Sequence, residues 1–272
     1  LPENYLRIVA PPIGGEFGGK GAMMDEPLCY YLARVTGRPV RMVMRRSEEL
    51  LAANPRHPTR ITIKSGVKKS GELVARQVGI IFNSGAYGGV KPGLVLEGHS
   101  KTAGPYRIPH LLIEGYAVYS NNNPCGHCRA PGHPQAVFAV ESHMDMLARR
   151  LGMDSLAFRL MNVLSVDETA PTGEKWRDIR AREVLETAAA VGGWGSAKPA
   201  GVGRGLALAY RNTGVGESGA VVKVNNDGSV EVITGAVETG TGSWTVLRQI
   251  AAEELGIDAQ MVRVVPGDTS VA

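Results

Sequence analysis

Four stretches of this 272-residue chain carry residue types whose spacing could do chemistry. The first is Gly14-Gly15-Glu16-Phe17-Gly18-Gly19-Lys20-Gly21, between an apolar segment and a helical pattern. Glycines there let backbone N–H groups close on an anionic or oxo ligand, and a helix that follows adds partial positive charge. The run nearly matches a phosphate-binding loop. However, Gly21 stands where such a loop needs a hydroxyl for magnesium, and Glu16 would face the phosphates. A Gly-rich turn with a purely structural purpose fits the same residues. The second stretch is Cys125-Gly126-His127-Cys128. Pro124 before it and Arg129-Ala130-Pro131-Gly132 after it leave no helix start to activate a thiol, and a zinc site lacks a second ligand pair. Loop thiols without redox or metal chemistry are the simpler reading.

The third stretch, Arg129 to Gln135, precedes the strongest helical pattern in the chain. An arginine on a loop restricted by Pro and Gly presents a fixed fork of donors to an anion or a carbonyl. A surface arginine paired with a carboxylate is the alternative, and His133 reads as a capping or packing residue. The fourth, Glu238-Thr239-Gly240-Thr241-Gly242-Ser243-Trp244-Thr245, sets small residues, hydroxyls and N–H groups at a helix start. It reads as a second anion cradle or as ordinary N-capping by Thr241 or Ser243.

The elements that must position these residues are legible from periodicity. Strands are expected at 6–10, 40–44, 59–67, 73–83, 110–119, 204–211, 219–224, 229–235 and 261–265, with hairpin turns at Lys68-Lys69-Ser70-Gly71 and Asn225-Asn226-Asp227-Gly228. Helices are expected at 23–35, 134–151, 154–164, 181–190 and 243–255. Asp154 caps the third, and Val137, Val140, Met144, Leu147 and Leu151 stripe the second. The mixture predicts an α+β fold of mixed sheets with packed helices. A Gly/Pro-bearing linker at 192–203 separates a domain at 1–200 from one at 201–272.

Composition narrows the function classes. Hydrophobic residues make up 43% of the chain and charged residues 21%, which excludes a disordered chain, and 35 Gly without a three-residue period exclude collagen. The net charge of +4 permits an anionic ligand without demanding nucleic acid. Three cysteines are too few for a disulfide scaffold, and no apolar run reaches the ~18 residues of a membrane helix. A protein of a reducing, cytoplasmic compartment is expected. The first residue is Leu1, not Met, so the chain reads as a piece of something longer.

Taken together and in order, the segments resemble the molybdenum-cofactor-binding (large) subunit of the xanthine dehydrogenase/aldehyde oxidase family of molybdenum hydroxylases. The resemblance rests on GGxFGGK at Gly14 to Lys20, GPYRIP at Gly104 to Pro109, and Arg129 to Gln135 before a helix that ends in Leu151-Gly152-Met153-Asp154. It continues with a strand, a Gly-rich turn, an AEELG helix and a GDT strand end from Val230 to Thr269. The resemblance implies a molybdopterin, in the cytosine dinucleotide form, that holds molybdenum through its dithiolene. It also implies oxidative hydroxylation of an aldehyde or electron-poor (hetero)aromatic carbon, with water as the oxygen source.

By the same resemblance, Phe17 and Gly18, within the Gly15–Gly19 turn, approach the metal's oxo ligand through backbone N–H groups. Arg129 lies beside the metal as the catalytic residue of this chain, and Gly240, Thr241, Gly242, Ser243 and Thr245 cradle the phosphate end of the cofactor. The implied partners are subunits carrying 2Fe-2S clusters and FAD, together with a small-molecule substrate. Neither nucleic acid nor a membrane span is implied, and homo-oligomerisation is compatible.

Several positions depart from the family. Thr241 stands in place of Gln, and Gly21 in place of an acidic purine-binding residue, which argues against xanthine. Pro131 replaces a stacking aromatic, and Ala130 a copper-binding Cys. The family's catalytic Glu sits in a Gly-x-Gly-Glu motif near the end of the subunit. Gly214-Val215-Gly216-Glu217 comes too early in the chain order, so that base is expected beyond this chain and the piece alone is expected to be inactive. A non-catalytic subunit-interaction domain of the same fold is the second reading. Metal analysis of the full-length protein separates the two. A nucleotide-binding P-loop protein is the third, tested by loss of magnesium-dependent ATP binding in Lys20→Ala.

Overall fold

The structure, a computed structural model, describes residues 2–20, 25–87, 97–211, 216–265 and 267–270. It divides into two compact units, one formed by residues 25–212 and the other by residues 1–24 together with 213–272.

The larger unit is built on a three-stranded sheet in the order β1 (Thr59–Val67), β2 (Leu73–Gly85), β3 (His110–Tyr119). β1 and β2 form an antiparallel hairpin. Lys68 N–H donates to Glu72 O at 2.9 Å across its turn, and Gly71 there has φ +100°. β3 runs parallel to β2, so a crossover must join them. The short helix Glu97–Ser100 and the 3-10 turn Lys101–Ala103 lie on that crossover. Two helices precede the sheet: α1 (Glu26–Thr36) and α2 (Arg46–Ala52). The crossover helix is α3.

After β3 come α4 (His133–Leu151), α5 (Ser155–Asn162) and α6 (Ala181–Val191). α4 packs on the sheet with Ala136, Val140, Met144 and Ala148 buried at a strict four-residue spacing. The expected stripe of larger residues, Val137, Leu147 and Leu151, is only partly buried beside it. Alanines allow the close approach that the periodicity of large residues does not reveal. Asp154 caps α5 as expected, its Oδ1 accepting from Leu156 N–H and Ala157 N–H at 2.9 Å each.

Among the apolar core residues Tyr106, Phe158, Val163, Leu185 and Leu208 sits a fully buried cation, Arg159. Its Nε donates to Glu141 Oε2 at 2.8 Å and its Nη1 to Asp145 Oδ1 at 2.7 Å. Glu141 also accepts from Tyr106 Oη at 2.7 Å and from Leu208 N–H at 2.8 Å. The Glu141 carboxylate thus has hydrogen-bond donors on both oxygens, which is what a buried charge requires.

The smaller unit repeats the topology. β4 (Ala220–Val224) and β5 (Val230–Thr234) form an antiparallel hairpin, α7 (Ser243–Leu255) crosses over, and β6 (Val262–Val265) runs parallel to β5. Val230, Val232, Ala252 and Val262 form its core. The amino-terminal segment closes on it: Ala10 N–H donates to Gly267 O at 3.1 Å and Thr269 N–H to Ile8 O at 3.1 Å, while Arg7 pairs with Asp268 at 2.6 Å.

The α+β class and its mixed sheets stand. Three expected strands do not form ladders. Residues 6–10 contribute a single bridge, Val9 to Asp268, and 40–44 and 204–211 have no strand beside them among the described residues. In the last of these, Leu208 N–H is taken by a carboxylate instead of a neighbouring strand. The helix expected at 23–35 runs from Glu26, with Met23 and Met24 outside the described residues. The unforeseen α2 starts where Glu48 Oε2 accepts from Arg45 N–H at 2.7 Å.

Candidate functional site

The two glycine turns meet within the smaller unit. Glu16 N–H donates to Thr239 O at 3.2 Å, and a Cβ placed on Gly240 would lie 3.1 Å from Gly15 Cα and 3.2 Å from Gly14 O. A Cβ there would need the facing backbone to give by a few tenths of an ångström, and Gly240 also holds φ +88°, which favours glycine. Segments more than 220 residues apart thus form one surface.

In the first turn Gly14 and Gly18 have φ of +70° and +93°, and Phe17 holds φ +54° with its side chain 61% exposed. A left-handed aromatic costs roughly 1–2 kcal/mol and gains nothing from burial here. The Phe17 ring lies over Gly15, where an added Cβ would come within 2.6 Å of it. The Glu16 carboxylate accepts from Gly18 N–H at 2.6 Å and Lys20 N–H at 3.2 Å, and Lys20 Nζ donates to Ile13 O at 2.7 Å. Gly19 N–H donates to Glu16 O at 3.0 Å. Gly21 lies outside the described residues.

The second turn is built on the same plan. Glu238 Oε1 accepts from Gly240 N–H at 2.8 Å and Gly242 N–H at 2.9 Å, and Oε2 accepts more weakly from Trp244 N–H at 3.4 Å and Ser243 Oγ at 3.3 Å. These donors, Gly242 N–H first, hold the Glu238 carboxyl below its usual range. Gly242 is the N-cap of α7 at φ +76°, with open space where a Cβ would be, and Thr241 and Thr245 are exposed.

Arg129 belongs to the larger unit. It opens the turn before α4, where Ala130 and Gly132 have φ of +57° and +78° and Gly98 of α3 packs against the Gly132 backbone. Its carbonyl accepts from Arg56 Nη2 at 3.0 Å, and Gln135 Nε2 donates to His57 O at 3.0 Å. In this unit four buried polar atoms have no hydrogen-bond partner among the described residues: Arg56 Nη1, His57 Nε2, Ser84 Oγ and Gln135 Oε1. Buried polar atoms are almost always satisfied, so such a group marks a place built for something further. Burial, and then the charges of His127 and Arg56, lower the His57 pKa below its usual range.

Cys125 is buried in the neighbouring loop, and burial raises its thiol pKa. Glu217 is exposed on the smaller unit. Among the described residues no three His, Cys, Asp or Glu side chains are close enough to hold a metal ion. The donor set of the glycine turns in the smaller unit is one of backbone N–H groups and hydroxyls. That set fits an anionic cofactor that brings its own metal ligands. The sequence reading missed Glu16 and Glu238 as acceptors and Arg56, His57 and Ser84 as the backing of the Arg129 loop. The repeated Glu-x-Gly spacing, 16 to 18 and 238 to 240, was the available signal for the first pair.

Among the described residues no helix is long and apolar enough to cross a membrane. Residues 1–163 match a molybdopterin cofactor-binding domain family, and residues 180–272 match a second family of that description. A probable xanthine dehydrogenase component of Bacillus subtilis is 33% identical over 99% of this chain and 38% of its own length. The aldehyde oxidoreductase molybdenum-binding subunit PaoC of Escherichia coli K12 is 32% identical over 99% of this chain and 37% of its own. The chain therefore spans well under half the length of these relatives.

Aldehyde oxidoreductase from Desulfovibrio gigas superposes with a TM-score of 0.83 at 26% identity, over 99% of this chain and 31% of that one. Quinoline 2-oxidoreductase from Pseudomonas putida 86 shares the fold, with a TM-score of 0.89 at 24% identity over 98% of this chain and 38% of that one. The chain belongs to the molybdopterin cofactor-binding domains of the xanthine dehydrogenase/aldehyde oxidase family of molybdenum hydroxylases.

Proposed function

We propose that this chain supplies the cofactor-holding part of a molybdenum hydroxylase that oxidises an aldehyde or electron-poor (hetero)aromatic carbon with water as the oxygen source. The meeting of the two glycine turns carries the reading: Glu16 N–H on Thr239 O, and Gly240 against Gly15. When bound, the cofactor supplies a two-electron oxidation that protein side chains cannot perform. The chain's own residues bind and orient it. Gly15, Phe17, Gly18 and Gly19 form the turn offered to the metal end, with the left-handed Phe17 backbone fixing the direction of the donors. Gly240, Thr241, Gly242, Ser243 and Thr245, at the start of α7, line the cradle for the phosphates of a cytosine dinucleotide form, with the exposed hydroxyls of Thr241 and Thr245 as donors while Glu238 keeps the Gly240 and Gly242 N–H groups. Arg129, braced through its carbonyl by Arg56, contributes the guanidinium beside the metal.

Residues 1–200 and 201–272 are assigned to a first cofactor-binding domain and the opening of a second. Subunits carrying 2Fe-2S clusters and FAD remove the electrons, and the complex works in the cytoplasm. The 272-residue piece alone is expected to be inactive and nearly free of cofactor, because no Gly-x-Gly-Glu follows the second glycine turn within it. Dye-linked aldehyde oxidation and molybdenum content, measured on this piece and on the full-length protein, test the reading. Molybdenum and turnover are expected only in the second. A full-length protein without molybdenum would instead support a domain that only joins subunits.

A further inference from the structure

Residues 204–211 of the larger unit have the alternation of a strand but no ladder. Leu206, Leu208 and Tyr210 turn toward the core, while Gly205, Ala207 and Ala209 are exposed. In an extended chain the N–H and C=O groups of successive residues point to opposite edges. One edge is engaged at Leu208, whose N–H donates to Glu141 Oε2 at 2.8 Å. On the other edge the backbone groups of residues 205, 207, 209 and 211 have no hydrogen-bond partner among the described residues. Proteins blunt an edge that stays open with lysine, proline or a bulge, and neither lysine nor proline stands in this segment. A cavity of about 340 Å³ opens beside it, lined by Trp176, Val184, Ala209 and Tyr210. The Trp176 and Tyr210 rings pack with centroids 4.4 Å apart, and Lys101 Nζ lies 4.1 Å from the Tyr210 centroid. Arg177 and Arg211 also stand at the cavity. Neither makes an ion pair among the described residues, whereas Arg180 is taken by Asp178 and Glu183.

We propose that this edge and cavity receive an extended strand from the part of the full-length polypeptide outside residues 1–272. The strand pairs its backbone with residues 205–211, sets an apolar side chain against Trp176 and Tyr210, and brings carboxylates to Arg177 and Arg211. Backbone pairing supplies the affinity of such an added strand, and the cavity and the two cations fix its register. The source is the same polypeptide for two reasons. This chain spans 38% and 37% of the lengths of the two relatives, so more than half of such a polypeptide lies outside it, and a tethered strand meets the edge at high effective concentration. An edge without blunting residues must also stay covered, which a segment of the same chain achieves and an exchanging partner does not.

The test uses the full-length protein in three forms: wild type, the double variant Arg177→Glu with Arg211→Glu, and a form with a benzophenone side chain in place of Val184, which is exposed on α6 at the cavity. Hydrogen exchange is read amide by amide over residues 204–211, with Leu208, held by Glu141, as the control for folding. In wild type the amides of Ala207 and Ala209 are expected to exchange about a hundredfold more slowly than in an unpaired chain. The double variant should speed both about tenfold and leave Leu208 unchanged. Irradiation should join position 184 to a residue of the same polypeptide outside residues 1–272. Three results would each overturn the proposal. They are unprotected amides at 207 and 209 beside a protected Leu208, protection indifferent to the two charge reversals, and a cross-link that ends within residues 1–272, in another subunit or in a second copy. None of these readouts depends on the cofactor, so failure of the functional reading is a separate outcome.

Discussion

Replacing Gly240 or Gly242 by alanine separates backbone strain from the contact between the two turns. Both residues are left-handed, at φ +88° and +76°, so each alanine carries the same conformational cost of roughly 1–2 kcal/mol. They differ in their surroundings. A Cβ on Gly242 meets nothing within 4 Å, whereas one on Gly240 meets Gly15 Cα at 3.1 Å and Gly14 O and Gly15 N at 3.2 Å. Those are backbone atoms, which cannot rotate away, so the facing turn must give by a few tenths of an ångström, at a further cost of about 1–3 kcal/mol, as for other overpacked sites. Urea unfolding of the two variants should place Gly240→Ala below Gly242→Ala by that difference. The Glu16 amide, bonded to Thr239 O, should exchange faster only in the first variant. Equal stabilities, or a milder effect at 240, would show that the turns do not press on each other.

Glu141→Gln leaves the fully buried Arg159 with only the part-exposed Asp145 carboxylate and should cost up to about 3 kcal/mol in thermal unfolding. Pairing that change with Arg159→Met should restore part of the loss, and a double variant worse than the single would contradict the account. Asn162 accepts from Leu73 N–H and donates to Gly71 O and Phe158 O, all buried, so Asn162→Ala should cost about 1–3 kcal/mol by leaving them unpaired. His57, His133 and His143 are all lowered from 6.5, each chiefly by burial. The unfolded chain therefore takes up protons that the folded chain refuses. Stability should be full above about pH 6.5 and fall as the pH drops below it, which melting temperatures from about pH 8 to 5 would check. A flat profile would contradict those shifts.

The parts of the fold that could be read in the sequence are those with local signals. Alternation gives β1, β2 and β3, the Asn-Asn-Asp-Gly turn gives the second hairpin, and Asp154 marks the start of α5. Segments 6–10, 40–44 and 204–211 have strand-like composition, but a ladder needs a neighbour, and neighbours are decided by tertiary packing. The buried face of α4 was hidden because alanines 136 and 148 carry half of it. At the candidate site, residue type and order revealed the glycine turns, since those φ values favour glycine. Where the turn N–H groups donate could not be read from the pattern, because a glutamate side chain two residues away competes locally for the same donors. The orphaned atoms of Arg56, His57, Ser84 and Gln135 depend on long-range burial and leave no local trace.

Anomalous diffraction at the molybdenum edge from crystals of the full-length protein would locate the metal relative to the joined turns. A single peak beside the Phe17-Gly18 backbone, with the cofactor's phosphates at Gly240 to Thr245, is the outcome expected here. A peak remote from both turns, or none in protein shown to be folded, would contradict it.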